Sequence, residues 1–203
     1  MLRYLLDPAN AITILGILFS GLALHAVLTG RLEMAVAIGL WSMLADQLDG
    51  IVAKRTPNRG SDVAEIGKCL DGLGDVIYGA VIPAAVIIAL GEGALVATSL
   101  GILMICAGAL RLSYFSRFGL RGGYFTGIPL SYDVPLLAIF FVTRQWFPAE
   151  VFNPAVMISF FLLTCLHVSS IRVPAPRRAM YLVITAFSAV SSAILVSRAM
   201  TFN

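Results

Sequence analysis

The sequence predicts an all-α protein whose helices form a polytopic membrane bundle of about seven spans, within a range of six to eight. Hydrophobic residues make up 59% of the 203-residue chain and charged residues only 12%, a composition outside that of soluble domains. The apolar residues also fall into runs of roughly 20, the length that a helix needs to cross the hydrocarbon core. We therefore expect residues 1–203 to form a single membrane-embedded domain.

Seven candidate spans follow one another along the chain. In order they are Ala11 to Thr29, Glu33 to Ala53, Asp62 to Leu90, Leu95 to Phe118, Pro129 to Trp146, Phe152 to Ser170 and Arg178 to Ser197. The third is longer than a span requires and contains Pro83, so we expect a kink or a division there. Asp62 and Glu65 have the spacing of a capping box at its start. Polar residues at the start of the fifth make its pattern the weakest of the seven.

The basic residues predict the orientation of the bundle. If the N-terminus is cytoplasmic and seven spans alternate, eleven of the 14 Lys and Arg residues lie at cytoplasmic ends, against Arg31, Arg144 and Arg198 on the other side. This is the positive-inside bias of membrane proteins. No long basic run indicates nucleic-acid binding. We expect an integral protein of a bacterial or archaeal cell membrane.

Four aspartates lie in a stretch that is otherwise apolar enough to be buried in a bilayer. Asp46 and Asp49 are three residues apart, and Asp71 and Asp75 are four apart, so each pair occupies one face of a helix. Ionised carboxylates are costly inside a membrane and indicate a functional site. Clustered oxygen ligands suit hard divalent cations, so the pattern predicts a metal site at the cytoplasmic ends of two facing helices.

The motif formed by these aspartates and their neighbours resembles the defining motif of the CDP-alcohol phosphatidyltransferases. Its two halves read Asp46-x-x-Asp49-Gly50-x-x-Ala53-Lys54 and Gly67-x-x-x-Asp71-x-x-x-Asp75. This chain has Lys54, followed by Arg55, where the family usually has Arg, and Lys lacks the planar fork of Arg. The stretch between the halves is about four residues longer than usual; we expect residues 56–61 to loop out at the surface.

The resemblance implies a role for each residue of the motif. Asp46, Asp49, Asp71 and Asp75 would bind Mg²⁺ or Mn²⁺, with Ca²⁺ as a further option and two ions as the expected number. Asp75 would also be the general base for the acceptor hydroxyl. The CDP-binding residues would be Asp49, Gly50, Ala53, Lys54, Gly67 and Asp71. The implied reaction is transfer of a phosphatidyl group from CDP-diacylglycerol to a small hydroxyl acceptor, with release of CMP, as a step of phospholipid biosynthesis in the membrane. Dimers are common in the family, and a homodimer is expected by that analogy alone.

A second region resembles the phosphatidylserine synthase branch of this family. It consists of Arg111-Leu112-Ser113-Tyr114-Phe115 and Tyr124-Phe125-Thr126-Gly127-Ile128-Pro129. The resemblance favours serine as the acceptor, bound by Arg111, Arg117, Ser131 and Asp133. Phosphatidylglycerophosphate synthase, or another member of the family, is the alternative, because phosphorylated acceptors require several convergent arginines. Asn10 and Thr13 also resemble residues that open the first span in the family, although Asn10 is equally compatible with a helix cap.

Two other functions are compatible with intramembrane carboxylates. An ion-coupled transporter would use the aspartates to line a cation path, but the motif occurs once, without a repeat in the second half of the chain. An inactive relative would have a structural role, which four retained aspartates argue against. His25 and His167 are isolated in apolar spans and are expected to be interior histidines with satisfied hydrogen bonds.

Overall fold

The computed structural model describes residues 1–176 and 178–201. Its regular elements are α1 (Pro8–Leu28), α2 (Leu32–Arg55), α3 (Ser61–Val76), α4 (Ile82–Leu90), α5 (Leu95–Phe118), β1 (Tyr124–Thr126), α6 (Asp133–Thr143), α7 (Ala149–His167), β2 (Arg172–Pro174) and α8 (Arg178–Thr201). The 3₁₀ turns are Leu2–Leu6, Leu130–Tyr132 and Arg144–Trp146. β1 and β2 pair antiparallel. Arg177, one of the basic residues counted for orientation, lies outside the described residues.

The predicted all-α membrane bundle is confirmed. Within the described residues, six helices are long and apolar enough to cross a membrane. The fifth candidate span instead forms α6, which has 11 residues between two 3₁₀ turns. The two ends of this stretch lie at opposite ends of the bundle: Ser131 lines the same cavity as the aspartates, whereas the Phe141 and Val142 carbonyls accept hydrogen bonds from Arg198 near the end of α8.

Pro83 changes the third span without dividing it. α3, a π-helical turn at Ile77–Val81 and α4 form one continuous 30-residue helix, Ser61–Leu90. Proline has no N–H to donate, and its ring clashes with the carbonyl four residues earlier. The wider π turn directly before Pro83 absorbs this misfit, so the helix continues. Such turns are frequent at functional sites.

The predicted capping box at Asp62 and Glu65 is wrong. α3 begins at Ser61, its N-cap is Gly60, and no side chain caps it. Since Gly60 occupies the N-cap position, Asp62 lies in the first turn of α3. Its negative charge there interacts favourably with the positive end of the helix dipole. The cap of α1 is Asp7, which accepts a hydrogen bond from the Asn10 backbone N–H at 3.0 Å.

The loop between α2 and α3 lies largely at the surface, as expected for residues 56–61, but its Arg59 also ties it to the start of α1. Arg59, whose side chain is 16% exposed, donates to both carboxylate oxygens of Asp7 at 2.9 and 3.1 Å and to Asn10 Oδ1 at 2.6 Å. Burial raises the pKa of Asp7, but the Asn10 N–H and the Arg59 guanidinium outweigh it, so the pKa lies below its ordinary value. The longer loop thus supplies a cation that connects α1 to the rest of the bundle.

The core of the bundle lies around α2, α4 and α6. Its largest fully buried side chains include Leu40, Met43, Ile87 and Phe141. Helices approach closely at small residues, as where Gly16 of α1 meets Ala45 of α2, and buried hydroxyls such as Ser20 and Ser42, 2.6 Å apart, join the same pair. Small residues and interhelical hydroxyls are the usual means of helix packing in membranes. This packing fixes α2, which carries the first two aspartates, against its neighbours.

Candidate active site

The four aspartates of the motif converge, as the sequence predicts. One carboxylate oxygen from each of Asp46, Asp49 and Asp71 lies within 4.8 Å of the other two. Asp46 and Asp49 come from α2, and Asp71 and Asp75 from α3. An all-oxygen cluster of this kind could hold a hard divalent cation. The arrangement therefore fits the chemistry of Mg²⁺, Mn²⁺ or Ca²⁺.

Tyr78 joins the fourth aspartate to this cluster. Its hydroxyl lies 3.0 Å from Asp46 Oδ2 and 3.0 Å from Asp75 Oδ1, and the side chain is fully buried. The single hydroxyl proton is placed between two carboxylates, which fixes their orientation. Sequence reasoning assigned Tyr78 no role. The available signal was its position three residues after Asp75, on the same face of the helix.

Thr13 orients the second aspartate from the opposite side. Its hydroxyl donates to Asp49 Oδ2 in a buried contact. Asn10, one turn earlier on α1, is fully buried and donates to the carbonyls of Tyr4 and Val63. Thr13 therefore contacts the carboxylate cluster directly, whereas Asn10 connects the N-terminal segment to α3.

The aspartates face a cavity of about 490 Å³. Seven of the residues predicted for the site line it, namely Asp46, Asp71, Asp75, Gly50, Lys54, Arg111 and Ser131. Five others do not line it, namely Asp49, Ala53, Gly67, Arg117 and Asp133. The cavity thus brings the carboxylates together with two cationic side chains from α2 and α5.

The two motif glycines have different surroundings. A Cβ added to Gly50 would meet no atom within 4 Å, consistent with its position on the cavity wall. A Cβ added to Gly67 would overlap Asn10 Oδ1 and lie 2.5 Å from Arg59 Nη2. Gly67 therefore leaves room for the Asn10 and Arg59 side chains, and its predicted contact with CDP stays a prediction.

Arg111 offers unsatisfied hydrogen-bond donors to the cavity. The residue is 6% exposed, yet its Nε and Nη2 atoms have no hydrogen-bond partner among the residues that the structure describes. Its guanidinium lies 5.6 Å from the ring centre of Phe115 and 5.7 Å from that of Phe125, which stabilises the cation but leaves its donors free. Buried donors without a partner are costly, so this guanidinium is suited to a phosphate or carboxylate ligand.

An irregular segment forms the wall that includes Ser131. Pro129, Leu130, Ser131 and Tyr132 all line the cavity. Gly127, just before them, has a φ of +73°, and a Cβ there would overlap the His167 carbonyl. Gly127 thus acts as a turn residue, while Phe125 and Pro129, two residues to either side, line the cavity.

The remaining wall is apolar and comes largely from the C-terminal part of the chain. Met180, Tyr181 and Ile184 of α8 line the cavity together with Met43 and Ile51 of α2. The cavity therefore combines a carboxylate cluster and a buried guanidinium with an apolar side. Such a surface can accommodate a ligand that is both phosphorylated and apolar.

Comparison with known proteins agrees with this geometry. Residues 6–197 match the family model of the CDP-alcohol phosphatidyltransferases. The chain is also 33% identical over 146 residues to the archaetidylserine synthase of Methanothermobacter thermautotrophicus, an alignment that covers 71% of this chain and 60% of that protein. The chain thus matches less than two thirds of the length of this relative. Because the family match spans nearly the whole sequence and includes all four aspartates, the chain belongs to the CDP-alcohol phosphatidyltransferase family.

Proposed function

We propose that this protein transfers a phosphatidyl-type group from a CDP-activated lipid to the hydroxyl of serine and releases CMP. The observation that carries the proposal is the placement of Asp46, Asp71, Asp75 and Arg111 around one cavity. Family membership supports the CDP-activated donor. The printed function of the similar protein, archaetidylserine synthesis, supports a lipid donor and a serine acceptor.

The carboxylate cluster would bind divalent cations. Asp46, Asp49, Asp71 and Asp75 are the proposed ligands, and two ions, Mg²⁺ or Mn²⁺, with Ca²⁺ as a further option, is the proposed occupancy. Bound there, the metal would neutralise the pyrophosphate and the departing CMP. Tyr78 and Thr13 hold the carboxylates in position for this role.

The chain's own residues account for the other requirements of the reaction. Asp75 accepts the proton of the acceptor hydroxyl while the hydroxyl oxygen attacks the phosphorus atom that carries the lipid. A new O–P bond forms, the P–O bond to CMP breaks, and CMP leaves with the bonding electron pair. Gly50 and Lys54 lie where the CDP group would contact α2. The apolar side chains of α8 would contact the lipid.

The cations at the cavity favour serine over a phosphorylated acceptor. Of the arginines considered for a phosphate acceptor, namely Arg111, Arg117, Arg121 and Arg172, only Arg111 lines the cavity among the described side chains. One guanidinium suffices for the serine carboxylate, whereas a phosphate acceptor favours several. Ser131 would accept from the serine ammonium group. Phosphatidylglycerophosphate synthesis remains the second candidate because Lys54 supplies an additional cation.

We also propose how the protein is placed in the membrane. Residues 1–203 would act as one domain in a bacterial or archaeal cell membrane, with the cavity facing the cytoplasm. Eleven of the 14 basic residues fall at that end if the short α6 stretch, whose ends lie at opposite ends of the bundle, counts as the fifth of seven crossings. A homodimer is proposed by family analogy alone.

The test is CMP release by the purified full-length protein. CDP-diacylglycerol and CDP-archaeol are each offered with serine, glycerol 3-phosphate or inositol phosphate, in Mg²⁺, Mn²⁺ or Ca²⁺. We expect release with serine that is lost in Asp75→Asn and retained in Asp62→Asn, a matched carboxylate change in the same helix outside the cavity. Release only with glycerol 3-phosphate would favour the second candidate. No release with any acceptor and metal would refute the transferase proposal.

A further inference from the structure

One histidine contacts both ends of the wall that faces the aspartates. The wall consists of Pro129, Leu130, Ser131 and Tyr132, four consecutive residues that line the cavity. Apart from a hydrogen bond from the Tyr132 N–H to the Pro129 carbonyl, its backbone has little internal support. The position of the wall therefore depends on contacts from other parts of the bundle.

His167, the last residue of α7, supplies two of these contacts, beside the hydrogen bond from the Ile128 N–H to the Leu166 carbonyl at 3.2 Å. Its Nδ1 lies 2.8 Å from the carbonyl oxygen of Ile128, directly before the wall. Its Nε2 lies 2.9 Å from Oδ2 of Asp133, directly after the wall. The side chains of His167 and Asp133 are only 2% and 3% exposed. One imidazole thus brackets the four wall residues.

The chemistry of the three groups makes this bracket specific. A carbonyl oxygen only accepts, so His167 Nδ1 carries a hydrogen and donates it to Ile128. His167 Nε2 lies at ion-pair distance from Asp133 Oδ2, although the two atoms do not have hydrogen-bond geometry and neither has another hydrogen-bond partner among the described residues. Both ring nitrogens therefore contact the flanks of the wall, Nδ1 through a hydrogen bond and Nε2 through its close approach to the Asp133 carboxyl group.

On the opposite side, Leu130 of the wall packs closely against two glycines. A Cβ added to Gly79 would lie 2.7 Å from the Leu130 Cβ, and one added to Gly108 would lie 3.5 Å from its Cδ2. Leu130 is thus seated against two glycines, which set the wall's limit on the side of the π turn and α5. His167 sets its limit on the other side.

We propose that His167 and Asp133 are positioning residues for the acceptor. They hold the wall, and with it Ser131, at the distance from the aspartates that the acceptor requires. The inference rests on the proposed transferase function. It gives Asp133 a role that differs from the predicted direct contact with the acceptor, since Asp133 does not line the cavity and lies against His167.

The two roles of Asp133 make opposite predictions for an amide substitution. In Asp133→Asn the amide can donate to Nε2 of an imidazole that keeps its Nδ1 hydrogen, so the bracket survives. Positioning therefore predicts a serine KM within about threefold of wild type for Asp133→Asn. It predicts an increase of about tenfold for Asp133→Ala and for His167→Ala, as expected for loss of a buried polar contact. The KM for the CDP-activated lipid should stay within about twofold throughout, because that ligand contacts the aspartate side.

His25→Ala is the matched control. His25 lies near the end of α1, is exposed and is remote from the cavity, so its removal should leave both KM values unchanged. If Asp133→Asn raises the serine KM as much as His167→Ala does, Asp133 binds the acceptor itself and the positioning proposal is overturned. A His167→Ala protein with reduced kcat and an unchanged serine KM would overturn it as well.

Amide hydrogen exchange without substrate separates this inference from the proposed function. We expect faster exchange over residues 127–133 in His167→Ala than in wild type, with no change in α2 or α3 and none in His25→Ala. If the wild-type protein releases no CMP, the transferase proposal fails, and exchange alone decides whether His167 holds the wall. Unchanged exchange over residues 127–133 would refute the positioning role independently of any activity.

Discussion

Alanine at Gly50 and at Gly67 should have opposite effects, although both glycines belong to the same motif. At Gly67 the added Cβ would overlap Asn10 Oδ1 and approach Arg59 Nη2 to 2.5 Å. It would therefore force apart two side chains that are joined at 2.6 Å. At Gly50 the added Cβ meets no protein atom within 4 Å and projects from the cavity wall. The first substitution should affect folding and the second ligand binding.

The magnitudes follow from these contacts. Overpacking at Gly67 costs about 1–3 kcal/mol, and loss of the charge-assisted hydrogen bond between Arg59 and Asn10 costs about 1.5–3 kcal/mol. The higher helix propensity of alanine offsets about 1 kcal/mol of this destabilisation. The net destabilisation is about 1.5–5 kcal/mol, which lowers the unfolding midpoint by roughly 3–20 °C. Gly50→Ala has only the propensity gain, so its midpoint should be unchanged or slightly raised.

Thermal unfolding and CMP release together test this reasoning. Both variants are purified in the same detergent, and activity is measured below both midpoints. Gly50→Ala should raise the KM for the CDP-activated lipid about tenfold or more, because the methyl group occupies space where the ligand approaches. The reasoning is refuted if Gly67→Ala keeps the wild-type midpoint, or if Gly50→Ala binds the lipid normally.

Three further predictions concern other contacts. Tyr78→Phe should lower activity or metal affinity about 10–100-fold, because its hydroxyl orients two carboxylates; titrating CMP release with Mg²⁺ would reveal it, and wild-type values would contradict it. The pKa of Asp7 is lower in the folded state than its ordinary value. The ionised Asp7 side chain therefore stabilises the fold above its ordinary pKa of about 3.9, and this stabilisation is lost as the pH falls through the lower pKa of the folded state. Unfolding midpoints against pH should show this loss in wild type and lack it in Asp7→Asn. Gly127→Ala should have a lower unfolding midpoint than wild type, because residue 127 has a φ of +73° and the new Cβ would overlap the His167 carbonyl. An unchanged midpoint would contradict this.

The sequence was sufficient for the features that depend on local periodicity. Membrane helices follow from apolar runs of sufficient length, and the pairing of Asp46 with Asp49 and of Asp71 with Asp75 follows from helical spacing alone. The convergence of the two pairs followed from the cost of placing carboxylates in a membrane. These rules need no knowledge of tertiary contacts, which is why the bundle and the cluster were predictable.

Features that depend on distant contacts were not accessible in this way. His167 lies 34 residues from Asp133 and 39 from Ile128 in the chain, so neither contact leaves a local pattern. Arg59 was expected in an exposed loop, yet it binds Asp7 from 52 residues away. α6 is also shorter than the apolar run from which a span was predicted, because Ser131 and Tyr132 before it form a 3₁₀ turn that faces the cavity. Polar residues at the ends of apolar runs were the available signal.

The structure divides the site into a rigid part and an adjustable part. The aspartates lie on α2 and α3 and are oriented by buried hydroxyls from Tyr78 and Thr13, so any displacement must move whole helices. The wall of Pro129 to Tyr132 is a short segment that contains one 3₁₀ turn. Its contacts with the bundle include the His167 imidazole, the Leu166 carbonyl that accepts from the Ile128 N–H, and the two glycines against Leu130. A change in the wall can therefore alter which acceptor fits while leaving the carboxylates in place. Under the proposed transferase function, residues 127–133 and the contacts that hold them would determine which acceptor is used. Exchanging this segment together with His167 should then transfer acceptor specificity more completely than exchanging Arg111 alone.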